Sequence, residues 1–80
     1  MILKLENPEN YKAKANYTDK VLKQIKSAHI TKSKISGFDL DIKFADGSQK
    51  YDWSYSIRGA KHLFALYSKR GSKWIEEKHL

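Results

Sequence analysis

The segment from Phe38 to Tyr55, FDLDIKFADGSQKYDWSY, constrains this chain more than any other. Phe38, Leu40, Ile42 and Phe44 alternate with Asp39, Asp41 and Lys43, the period of a strand that buries one face. Asp46-Gly47 follows as a turn signal, because glycine takes positive φ freely and aspartate tolerates it better than most residues. Beyond the turn, Tyr51, Trp53 and Tyr55 alternate with Lys50, Asp52 and Ser54. If Asp46 and Gly47 form a two-residue loop, Ile42 faces Tyr51, Leu40 faces Trp53 and Phe38 faces Tyr55. This register puts all three aromatics on one apolar face, and a slip of one residue would set them opposite charges. It also aligns Asp41 with Asp52 and Lys43 with Lys50, an unfavourable pairing that diagonal Asp to Lys contacts partly offset.

An amphipathic helix is predicted after the hairpin, over about 57–70. Ser56 can cap it, Ile57, Ala60, Leu63, Phe64 and Tyr67 form its apolar stripe, and Gly71 stands where a left-handed terminus is wanted. Segment 72–80 is expected to add a short closing helix with Trp74 and Ile75 turned inward. In the N-terminal third, Asn7-Pro8-Glu9 reads as a helix start, since proline at the first helical position loses no needed hydrogen bond. Tyr11, Ala15, Leu22, Ile25 and Ala28 then make a helical stripe, although Tyr11, Ala13, Ala15 and Tyr17 also alternate as in a strand. The favoured reading is a helix over about 8–29, preceded by a short strand at 2–6. The expected fold is α+β: a small antiparallel sheet built on the hairpin of about 38–44 and 49–55, packed against helices at about 8–29 and 57–70.

Eighty residues leave room for one domain, 1–80. With no cysteine there is no disulfide framework and no thiolate chemistry, and the N-terminus carries neither signal peptide nor membrane span, so the cytoplasm is the expected setting. A chain of this size buries a limited share of its surface, and a homodimer would add to it.

Lysine and arginine number 16 against 9 acidic residues, a formal net charge of +7. The pI of about 9.7 lies in the range where a nucleic-acid footprint is worth testing. Two acid-free stretches hold most of the excess. One carries Lys20, Lys23, Lys26, Lys32 and Lys34; the other carries Arg58, Lys61, Lys69, Arg70 and Lys73. On a helix, Lys20, Lys23 and Lys26 would share one face and could touch successive phosphates. Both groups also read simply as the solvated surface of a cationic protein. The Tyr51, Trp53, Tyr55 strand could act as a base-stacking platform. In so small a protein, however, these aromatics are expected in the core. Trp74, next to Lys73, is the better stacking candidate, with burial again its expected use.

No catalytic, cofactor or metal site is predicted. Asp41-Ile42-Lys43 has the acid-x-Lys form seen in some Mg²⁺-dependent nucleases, but no upstream acidic motif completes it. His29, His62 and His79 lack metal-ligand spacing. The four glycines are isolated, so there is no phosphate loop.

From Ile35 to Ile75, the run FDLDIKFADGSQKYDW, a helix of the form AKHLFALYS and a closing SKRGSKW resemble the small KTSC domain. Phe44, Gly47, Tyr51, Trp53, Leu63, Ser68, Gly71 and Trp74 carry the match. The proline that usually opens that family's helix is missing, and Arg70 lengthens the closing segment by one residue. The resemblance implies an α+β fold and an RNA-related setting, with no catalytic residues to carry over.

The function expected is a non-catalytic nucleic-acid-binding protein, for DNA or RNA, that uses the ten cations above on phosphates and Trp74 as a stacking contact, with little base preference. Two alternatives remain. One is an inhibitor or adaptor of the kind phages and mobile elements encode, docking on a partner protein through Asp39, Asp41 and Asp52. The other, more remote, is a metal-dependent nuclease.

Overall fold

The computed structural model describes residues 2–77. In chain order its elements are β1 (Ile2–Leu5), a 3-10 turn (Pro8–Asn10), β2 (Lys12–Ala13), β3 (Lys23–Lys32), β4 (Phe38–Phe44), β5 (Gln49–Ser54), α1 (Ile57–Ser68) and β6 (Trp74–Glu77). All strand pairings are antiparallel, in the order β5-β4-β3-β1-β6, with β2 beside the first half of β3. Among the described residues a single α-helix therefore covers the sheet, where two were expected.

The missing helix is the long one, 8–29. Pro8 opens only a single 3-10 turn, after which Tyr11 is extended. The Asn16 carboxamide then accepts hydrogen bonds from the Thr18 and Asp19 amides and from the Thr18 hydroxyl, holding a side-chain-stabilised turn instead of a helix. The rest of the stripe lies in β3. Ile25 sits opposite Phe44 and Ser27 opposite Lys43, so the register shifts and Lys26 is the extra residue of a bulge. The bulge brings Ile25 and Ala28 to the same buried face at a spacing of three, followed by Ile30 at a spacing of two. A bulged strand thus imitates the apolar spacing of a helix.

The hairpin forms, with a register one residue away from the expected one. Its loop has three residues, Ala45 to Gly47: the Phe44 amide donates to the Ser48 carbonyl at 2.9 Å and the Gly47 amide donates to Phe44 at 3.1 Å. Gly47 supplies the left-handed position with φ 91°. Asp46 fixes the turn by accepting from the Ser48 amide and hydroxyl at 2.9 and 2.5 Å. Ile42 consequently faces Lys50, Leu40 faces Asp52 and Phe38 faces Ser54, while Asp41 faces Tyr51 and Asp39 faces Trp53. The like-charge pairs do not form, and the aromatics leave the core side.

The core lies between the inner sheet face and α1. Leu40, Ile42, Phe44, Ile25, Ala28 and Ile30 are buried with Ala60, Phe64 and Tyr67 of the helix. Helix α1 begins as expected, with the Ser56 hydroxyl accepting from the Gly59 amide at 3.0 Å. It ends at Lys69, which takes the left-handed conformation (φ 60°) assigned from sequence to Gly71. The closing segment is strand β6, not a helix: Trp74 points inward, edge-on to Phe64 at 5.2 Å, and Ile75 points outward. Residues 78–80, including His79, lie outside the described residues. Among the described residues, no helix is long and apolar enough to cross a membrane.

Candidate nucleic-acid interface

Because α1 packs on one face, the other face of the sheet is uncovered. Alternation assigns Ser27, His29 and Thr31 of β3, Asp39, Asp41 and Lys43 of β4, and Tyr51 and Trp53 of β5 to this outer face. Tyr51 is 63% exposed, Trp53 38% and Tyr55, just past the strand end, 84%. The residues taken from sequence as core are thus exposed, Tyr51 and Tyr55 more so than Tyr17 at 56%. The sequence signal was present in their alternation; the loop length decided which face they took.

Trp53 is anchored at one side. Its indole N–H donates to the Ser36 carbonyl at 2.8 Å. Its six-membered ring lies against Gly37, where a Cβ would stand 2.5 Å from the indole. Tyr55 meets Trp53 edge to face with centroids 4.5 Å apart. The loop that receives the indole, residues 33–37, is closed by the Ser33 amide on the Gly37 carbonyl at 3.0 Å, and carries exposed Lys34 with Lys32 at its base. At the same end of the sheet β5 passes into α1, whose first turn holds exposed Arg58 and no acidic residue. Lys34 thus sits in the loop that holds the Trp53 indole and Arg58 follows Tyr55 by three residues at the helix start, whereas Lys32 pairs with Phe38 and falls by alternation on the helix-facing side of the sheet.

The other cations do not join this group. Lys61 is exposed on α1 and Lys69 is exposed at its C-cap. Lys23 is engaged locally, 3.2 Å from the Asp46 carboxylate, and Lys26 is the exposed bulge residue. Arg70 donates to the Asn10 carbonyl at 3.0 Å and stacks over Tyr11. Lys73 accepts the Glu6 amide on its carbonyl. Lys20 lies in the irregular segment before β3, so the three-lysine helical face has no helix to carry it. Trp74 is half-buried and donates to the Ser72 hydroxyl at 2.9 Å, which leaves it poorly placed for stacking.

The acidic trio also divides. Asp39 and Asp41 are on the outer face, whereas Asp52 is on the inner side, where it accepts the Tyr67 hydroxyl at 2.8 Å. That bond, with burial as the larger cause, pushes the Tyr67 phenol well above its ordinary value. The three carboxylates read from sequence as one docking face are therefore divided between the two sides of the sheet, and no group of three metal-ligating side chains converges among the described residues.

No family model matches the chain, and neither does any curated protein or solved structure. The resemblance of residues 35–75 to the KTSC domain rests on its sequence pattern alone.

Proposed function

We propose that this protein is a non-catalytic binder of single-stranded nucleic acid. The observation that carries the reading is the exposed aromatic set Tyr51, Trp53 and Tyr55 on an uncovered sheet face, beside a basic loop. Every base has a π-face, so exposed aromatics accept unpaired bases of any sequence, at about 1–3 kcal/mol per stacked base. Duplexes hide those faces, which favours single strands over double-stranded partners. Lys34 and Arg58 supply cations for the phosphates next to the stacked bases. The formal charge of +7 draws a polyanion toward the molecule as a whole.

A fluorescence-anisotropy titration with a labelled single strand, repeated over a range of salt, tests the reading. Two phosphate contacts give a slope of log affinity against log salt of about −1.4. Trp53→Ala and Tyr55→Ala are expected to weaken binding at every salt concentration. Lys34→Ala and Arg58→Ala should flatten the slope. Absence of binding at low salt, or binding that the aromatic substitutions leave untouched, overturns the proposal.

A further inference from the structure

The outer face has a second basic feature, at the end of the sheet away from Trp53. Gln49, two residues before Tyr51 on β5, pairs with Lys43 of β4, and Lys43 pairs with Ser27, next to the Lys26 bulge. Because of that bulge, Lys26 and Ser27 both lie between buried Ile25 and buried Ala28, so two consecutive residues face away from the core. Lys26 and Lys43 are exposed, and both line a cavity of about 230 Å³ together with Gly47, Ser48 and Gln49.

No carboxylate lines this cavity. Among the described residues neither ammonium is within salt-bridge reach of one, whereas neighbouring Lys23 is 3.2 Å from Asp46. The Asp46 carboxylate is itself taken up by the Ser48 amide and hydroxyl and by Lys23. Two unpaired ammoniums in one recess repel each other, and an anion between them turns that repulsion into attraction. The exposed Gln49 carboxamide can add a neutral donor. Farther along the face, Asp39 and Asp41 of β4 stand opposite Trp53 and Tyr51 and repel phosphate there. Along the outer side of β4 and β5, the cations open to a phosphate backbone are therefore at the two ends of the aromatic row: the Lys34 loop and this cavity.

Resting on the single-strand reading above, we infer that the cavity between Lys26 and Lys43 is a phosphate subsite, and that the bound strand runs along β5 from Tyr55 and Trp53 past Tyr51 into it. The spacing suits that path. Trp53 to Gln49 is four residues of strand, about 13 Å, close to four base steps at the rise of about 3.4 Å of a stacked strand. A strand that covers only the aromatics stops short of the cavity, and one longer by a few nucleotides delivers a phosphate to it. The rings take bases and the subsite takes backbone charge, so the subsite adds affinity without base preference.

The test titrates labelled triuridylate and octauridylate into the wild-type chain, a Lys26→Ala/Lys43→Ala double variant and a control, Lys61→Ala/Lys69→Ala, which removes the same charge from exposed positions on α1 and its C-cap. Beyond the statistical gain from extra registers, the wild type is expected to bind the longer strand on the order of tenfold more tightly than the shorter. Its salt slope should be steeper by about 0.7 on the longer strand. The double variant should lose both gains and bind triuridylate as the control does, while the control keeps them. Equal length gains in wild type and double variant overturn the subsite and leave the single-strand reading standing. An equal loss in double variant and control assigns the gain to overall charge and overturns it too. Amide shifts of Lys43 and Gln49 that answer inorganic phosphate but not octauridylate would make the cavity a site for the free ion and overturn the path. If the wild type binds neither strand at low salt, both readings fall.

Discussion

Trp53 and Ser36 lie 17 residues apart and are joined by the indole N–H on the Ser36 carbonyl at 2.8 Å, with Gly37 pressed beneath the ring. The bond ties the β3–β4 loop to the edge strand and fixes the angle at which the indole meets solvent. Gly37 is indispensable to it on two counts: its φ is +75°, and a Cβ there would stand 2.5 Å from both the indole and the Ser54 carbonyl. Gly37→Ala is therefore expected to cost about 1–3 kcal/mol in urea unfolding. It should also shift the Trp53 emission, read cleanly in a Trp74→Phe background. Unchanged emission and midpoint would show that the ring does not rest on Gly37.

The Tyr67 hydroxyl donates to Asp52 at 2.8 Å from within the core, Tyr17 stacks on its ring at 4.9 Å, and the Lys50 ammonium lies 5.4 Å from its centroid. Tyr67→Phe leaves the carboxylate without this donor and is expected to cost about 1–2 kcal/mol. The pH dependence follows from burial first and the Asp52 bond second, both of which raise the phenol above its ordinary value of 10. Since the folded group holds its proton more tightly than the unfolded one, the contribution is complete below pH 10 and is lost as pH rises beyond it. Thermal melts of wild type and Tyr67→Phe should converge across that alkaline range.

The strand alternation at 38–44, the helix at 57–68, its Ser56 cap and the short N-terminal strand were all legible, because each depends on local periodicity or on one side chain meeting a nearby amide. What the sequence concealed was set by single-residue offsets. The Lys26 bulge gives β3 the spacing of a helix, and the third loop residue at Ala45–Gly47 moves Tyr51 and Trp53 from the core to solvent. A two-residue loop satisfied the apolar pattern equally well in both strands. It failed only on the charged face, where it stacked Asp41 on Asp52 and Lys43 on Lys50. That conflict was the visible sign that the register belonged one residue away. The nearness of the Lys34 loop to Trp53 was hidden for a different reason, since it depends on the indole reaching the Ser36 carbonyl across 17 residues.

The β4–β5 turn should reveal itself in acid. Hydrogen bonds from the Ser48 hydroxyl and amide, helped by Lys23, lower the Asp46 carboxyl from 3.8 to about 2. The folded chain thus releases this proton more readily than the unfolded one. The turn's contribution is present above pH 3.8 and is lost as pH falls toward 2. Carboxyl chemical shifts followed by NMR should place the Asp46 midpoint near the lower value. Ser48→Ala removes the hydroxyl, the largest cause, and is expected to move that midpoint upward; an unmoved midpoint would assign the depression to the Ser48 amide and Lys23.

Gly59 tests whether helix propensity or a close contact governs the start of α1. In an ordinary helix interior, glycine to alanine adds about 0.5–1 kcal/mol of stability. Here a Cβ would fall on the Ser54 hydroxyl and within 3.2 Å of the Ser54 Cβ. Gly59→Ala keeps the amide that Ser56 caps, so the contact with Ser54 is the main new cost. The single substitution is expected to be neutral or destabilising. In a Ser54→Ala background the hydroxyl is gone, and the same change should recover most of the propensity gain. The difference between the two Gly59→Ala effects, measured by urea unfolding, is the coupling between residues 54 and 59. Equal gains in both backgrounds would mean that β5 and the first turn of α1 are farther apart than described, and with them Arg58 and the aromatic edge.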